Sequence, residues 1–123
     1  MAITIATAAR DLMCDALVDS VDASGKVTIR TSGDVAAATL NLSATAFGAS
    51  STGVATANAI SDDTSAVGGD VTGGYHAFET SGSSEIWRGS VGTSGADLNL
   101  SSLNIGAGDT VSISAYTVTV PAS

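Results

Sequence analysis

The hydrophobic period of this chain changes once, at Gly25, and that change restricts the fold more than any other feature of the sequence. Before it, "AARDLMCDALVDSV" carries apolar residues at helical spacing, with Leu12, Met13, Ala16, Leu17 and Val21 on one broad face. Asp11, Asp15, Asp19 and Asp22 follow at intervals of four, four and three, so they form a narrow acidic strip along the helix. The pattern predicts one helix over about residues 8–22, capped by Thr7 and stopped at "DASGK", where Gly25 suits a left-handed turn.

After Gly25 the period is two, and alternation predicts strands from about residue 26 to residue 120. "KVTIR", "ATLNLSA", "GVATANAI", "GYHAFET", "SEIWRGSV" and "ADLNLSSLNI" are each short and bounded by turn residues. Thr110 to Val120 is the longest strand candidate, with a bulge or bend expected near Ala115 and Tyr116 where the alternation switches sides. Ser61 to Gly74, "SDDTSAVGGDVTGG", reads as a long surface loop. About seven or eight short strands at regular turn spacing predict a mainly β chain, an antiparallel β-sandwich or jelly roll with one N-terminal helix, in a single domain spanning 1–123.

The turn "SGSS" sets a register. If Thr80 faces Glu85, then Phe78 faces Trp87 and His76 faces Gly89. An aromatic pair opposed in this way marks Phe78 and Trp87 as core anchors. Aromatics are only 4% of the chain and much of its apolar content is alanine, so a thin core must lean on such anchors.

Charge excludes several partners. The net charge is −8 with four basic residues, which leaves no basic surface to neutralise nucleic-acid phosphates or to meet an anionic membrane. Charged residues make up only 13%, so the surface must be rich in Ser, Thr, Gly and Asn, which are cheap to desolvate. Cys14 is the lone cysteine, so no internal disulfide can form, and it reads as a small buried thiol. The opening "MAITIATAAR" has neither a basic n-region nor a long apolar h-region, so no signal peptide is expected and synthesis is expected in a cytoplasm. No run approaches the roughly 20 apolar residues of a membrane span.

Candidate chemistry is sparse. His76 is the only histidine, no G-x-S-x-G elbow is present, and a buried histidine satisfied by a backbone group is the expected reading. A small hydrolase would need His76 in a cleft beside a nucleophile. Asp62, Asp63 and Asp70, or Asp97, Asn99 and Asp109, could offer oxygens to calcium, but none has EF-hand spacing. Glu79, Glu85 and Arg88 are expected on a solvated rim of the hairpin. Neither a catalytic residue, a cofactor nor a metal is expected. Asp19 and Asp22 oppose the helix dipole, so the acidic strip is either a solvated face or a contact for a basic partner through Asp11, Asp15 and Asp19.

"MAITIATAAR", "FGASSTGVATANAI" and "GSVGTSGADLNL…GDTVSISAYTVTVP", in that order, resemble a group of small virion proteins of tailed bacteriophages over nearly the whole chain. In those proteins a longer insertion often follows the "IRTSG" strand, where this chain has the short "DVAAA". The resemblance implies a non-enzymatic structural protein of the virion. One implied position is the capsid exterior, as a decoration or cement protein bound to the major capsid protein or another virion protein and forming homo-oligomers on the particle. The other is a tail, baseplate or fibre component, including a host-surface adhesion module with Tyr75 or Tyr116 as an aromatic platform. The residues before Thr7 suit either a strand or an arm reaching to a neighbour.

Overall fold

The computed structural model describes residues 3–21 and 23–121. Asp22, the last member of the expected acidic strip, lies outside them. The helix α1 spans Thr7–Val18 and is shorter than the apolar pattern predicts. Its last turn tightens, because Ser20 N–H donates to Leu17 O and Val21 N–H to Val18 O, both one residue short of an α-helical bond. Ser20 Oγ also donates back to Ala16 O. These local bonds of Ser20 end the helix before Gly25 is reached. The residue ahead of the helix is Ala6, in extended conformation and without a side-chain cap. Thr7 is therefore the first helical residue and not a cap, and its Oγ1 accepts from Arg10 Nη2 at 3.1 Å.

Among the described residues nine strands follow: β1 Lys26–Arg30, β2 Ala36–Asn41, β3 Val54–Thr56, β4 Gly69–Asp70, β5 Tyr75–Glu79, β6 Glu85–Gly92, β7 Leu98–Asn99, β8 Asn104–Ile105 and β9 Thr117–Thr119. Five form one sheet in the order β2-β1-β5-β6-β7, while β3–β9 and β4–β8 form two small pairs. The chain is thus mainly β with one helix, as the change of period implies. The main sheet is curled, and it is mixed because β6 and β7 run parallel, so the architecture is not a clearly antiparallel sandwich or jelly roll.

Alternation places Val27, Ile29, Ala38, Leu40, His76, Phe78 and Trp87 on one face of this sheet, through the pairs Val27–Phe78, Ile29–His76, Val27–Leu40, Ile29–Ala38 and Phe78–Trp87. Cys14 and Val18 from α1, Phe47, Ala55 and Tyr116 join this face in one buried cluster.

Two stretches depart from the alternation pattern. Residues 61–74 are not simply a surface loop: they contain β4, and Ala66 and Val71 are buried. This segment runs along the outer edge of β2, where Ser61 N–H donates to Asn41 O, Thr39 N–H to Asp63 Oδ2, and Gly68 N–H to Ala37 O. It covers an edge that would otherwise present unpaired backbone. The segment from Thr110 to Val120 is not one long strand. It touches Asp63 through a single bridge at Val111 and pairs with β3 only over Thr117–Thr119.

Candidate functional site

The hairpin β5–β6 aligns Phe78 with Trp87 and His76 with Gly89, as the turn spacing predicts. Nearer the turn a bulge shifts the register, so Glu79 and not Thr80 faces Glu85. Phe78 is fully buried and Trp87 half-buried, and their rings stack at 4.5 Å between centroids. Phe47 and Tyr116 complete the aromatic cluster, with centroids 5.7 and 4.7 Å from that of Phe78. Tyr116 is buried and Tyr75 lies under the Arg88 guanidinium at 3.9 Å, so neither presents an open platform.

His76 is fully buried, and its bonds fix its tautomer. Nδ1 lies 3.2 Å from Ser90 O, a carbonyl that can only accept, so Nδ1 carries the proton. Nε2 then accepts from the Tyr116 hydroxyl at 2.6 Å, and that oxygen accepts in turn from Trp87 Nε1 at 3.4 Å. Burial holds the His76 pKa below the ordinary histidine value, which keeps the ring neutral as this chain of bonds requires. The ring lies across Gly89: a Cβ there would stand 2.7 Å from His76 Cε1 and 2.9 Å from Asp97 Oδ2. Asp97 Oδ2 accepts from Ser90 N–H and Oγ, which lowers the Asp97 pKa. The three residue types of a hydrolytic triad therefore meet here, but histidine faces the serine carbonyl while the carboxylate holds the hydroxyl.

On the other face of the sheet, Glu79 is buried and not on a solvated rim. Its Oε2 accepts from Thr28 Oγ1 at 2.7 Å and Arg30 Nη2 at 3.2 Å, while its Oε1 has no partner. Arg30 Nη1 also donates to Asp34 O, and the Tyr75 hydroxyl donates to Asp34 Oδ1. Glu85 stays exposed and pairs with Arg88 at 2.9 Å. Among the described residues no three His, Cys, Asp or Glu side chains gather as metal ligands would.

The helix is turned differently from its apolar pattern. Leu12 and Met13 stand outward, 73% and 49% exposed, while Cys14 and Val18 face inward. Asp11 and Asp15 are half-buried. Asp11 Oδ1 accepts from Gly53 N–H at 2.7 Å, and Asp15 Oδ1 from Ser50 N–H at 2.9 Å. Ser50 Oγ donates to Asp11 O. The two carboxylates thus tie residues 50–53 to the helix, and Asp19 is the one of the three left open to solvent.

No local pattern in the sequence signals the groove between β6 and β9. It has a volume of about 320 Å³ and is lined by Leu17, Trp87, Arg88, Gly89, Asp97 and Tyr116–Thr119. It depends on strands remote in sequence, so only the tertiary fold assembles it. No helix among the described residues is long and apolar enough to cross a membrane. No family model, curated protein or solved structure matches the chain.

Proposed function

We propose that this chain is a non-enzymatic structural protein of a tailed-phage virion, acting as a decoration or cement protein on the capsid. The observation that carries the reading is the outward display of large apolar side chains, Ile3, Leu12, Met13, Val35 and Val67, on a chain with few charges. Such side chains gain free energy only when another surface covers them. The bonding of His76, Ser90 and Asp97 to the fold's own groups and the resemblance to small virion proteins support the same reading. A chain that binds only the assembled shell stabilises that shell by mass action. The architecture reads in this light as an irregular two-layer arrangement, with α1 and β3–β9 laid on the inner face of the main sheet.

Quantitative gel densitometry of purified virions tests the proposal. Copies in the hundreds per particle, in fixed ratio to the major capsid protein, are the expected result. A few dozen copies or fewer would move the chain to the tail, baseplate or fibre. Its absence from the particle, or turnover of a substrate abolished by His76→Ala, would overturn the reading.

A further inference from the structure

The groove between β6 and β9 is bounded by two unpaired strand edges. Along β9, Val120 N–H donates to Gly53 O and Ala57 N–H to Tyr116 O. Residues 53–120 and 57–116 are therefore bond-exchanging pairs, and by alternation so is Ala55–Val118. Thr117 and Thr119 fall between them, so their N–H and C=O groups point away from β3. Along β6, Ser90 turns its N–H outward to Asp97 Oδ2, and the same alternation turns the N–H and C=O of Arg88 outward. β7 pairs with β6 only at Val91 and Gly92, beyond this stretch. No described hydrogen bond uses the outward backbone groups of Arg88, Thr117 or Thr119. Between the two edges lie the half-buried side chains of Leu17, Trp87 and Val118.

The chain also carries a segment of matching character. Ile3–Ala6 has no regular secondary structure and no charged side chain. Its one described hydrogen bond is from Arg10 N–H to Ala6 O, which opens the helix. Ile3 is 81% exposed, and Ile3 and Ile5 alternate with Thr4 as a half-buried strand would. The arm does not lie in its own groove: Ile3 is 81% exposed and no residue of Ile3–Ala6 lines it.

We propose that the groove between β6 and β9 takes Ile3–Ala6 of a second copy as an added strand. Ile3 and Ile5 of the donor face Leu17, Trp87 and Val118, and the donor backbone bonds to Arg88, Thr117 and Thr119. The exchange is reciprocal in a two-fold dimer, or passes from copy to copy around a ring. It deepens the self-assembly part of the virion reading, and it is tested on the isolated chain, so either can fail without the other.

Sedimentation equilibrium of the purified full chain tests the exchange. The wild type should show concentration-dependent multiples of the chain mass. Ile3→Asp with Ile5→Asp disables the arm and leaves the groove intact. Thr119→Pro removes an outward N–H that has no partner among the described residues, so it blocks the groove without breaking β3–β9. Leu17→Lys replaces it if thermal denaturation shows that Thr119→Pro is unfolded. Each variant should dissociate at least about 100-fold more readily than the wild type. An equal mixture of arm and groove variants should regain a two-chain complex, since one offers an arm and the other a groove. A wild type monomeric at about 1 mM, a folded variant that associates as the wild type does, or a mixture that stays monomeric would each overturn the proposal.

Discussion

Gly89→Ala is the sharpest perturbation of the buried histidine. Gly89 needs no unusual backbone angle, so an added methyl acts through space alone. That methyl would stand 2.7 Å from His76 Cε1, 2.9 Å from Asp97 Oδ2 and 3.1 Å from Asp97 Cβ. The neighbours must move, and both are held. His76 is bonded at 2.6 Å to Tyr116 and 3.2 Å to Ser90 O, and Asp97 at 3.0 Å to Ser90 N–H. Overpacking of this kind costs about 1–3 kcal/mol, and each buried bond lost adds about 1 kcal/mol. The sum is about 2–4 kcal/mol, which for a domain of this length lowers the melting midpoint by roughly 10–15 °C. Urea denaturation monitored by Trp87 fluorescence reads the change directly. Gly82→Ala is the control, because its methyl would meet only Thr80 Oγ1 at 3.8 Å and should change stability by less than about 0.5 kcal/mol. In a His76→Ala background the cost of Gly89→Ala should fall by at least about 1 kcal/mol. A Gly89→Ala chain as stable as the wild type, or a cost unchanged by His76→Ala, would refute the placement of the ring across Gly89.

Three further outcomes are expected. An NMR titration of His76 should show a midpoint below the ordinary value of about 6.5, with the proton on Nδ1 below saturation of the ring. Because the folded pKa is depressed, stability from this group is complete above the unfolded pKa and declines as pH falls from there through the folded pKa; a midpoint above 6.5 would contradict the burial. Asp11→Ala and Asp15→Ala should each cost about 1–2 kcal/mol in chemical denaturation, since each leaves a half-buried backbone N–H without its acceptor, at Gly53 and Ser50. Cost-free replacement of both would place the carboxylates in solvent. Cys14 is fully buried and its pKa is raised by that burial, so a thiol reagent should label it only after unfolding, and rapid labelling of the native chain would be inconsistent with its position.

The elements legible in the sequence are those whose signal is local. The Phe78–Trp87 register follows from the length of one turn and the alternation on either side of it, both contained in Tyr75–Gly92. The bulge beside Glu79 escaped the reading because turn spacing counts residues and cannot say which is left unpaired. The helix was legible as a helix but not in its facing. Alanines and apolar residues ring much of α1, and what turns Asp11 and Asp15 inward is residues 50–53, some 40 positions away. Residues 61–74 carry glycines and aspartates that signal turns, yet their backbone finds the edge of β2, a long-range choice without a local pattern. The candidate groove combines both difficulties, since it joins the helix, a hairpin strand and the C-terminal strand.

The same bonds explain the acidity of the chain without reference to any partner. Of the nine aspartates among the described residues, six accept hydrogen bonds from backbone N–H groups: Asp11 from Gly53, Asp15 from Ser50, Asp63 from Thr39 and Ser65, Asp70 from Thr72, Asp97 from Ser90, and Asp109 from Gly106. A fold with strands of two or three residues leaves many N–H groups without a ladder partner. A short carboxylate is the side chain best able to reach them, and as an anion it accepts more strongly than an amide or a hydroxyl. Much of the net charge of −8 is therefore a by-product of holding irregular backbone in place. The bonds lower the pKa of Asp70 and Asp97, so their contribution is present above the unfolded carboxylate value and is lost as pH falls through the folded one. An acidic surface selected to meet a basic partner would instead leave its carboxylates free. Among the described aspartates Asp19 and Asp62 accept no described side-chain hydrogen bond, and two exposed charges in high dielectric contribute little to binding. Association must draw on the outward apolar side chains and the unpaired strand edges.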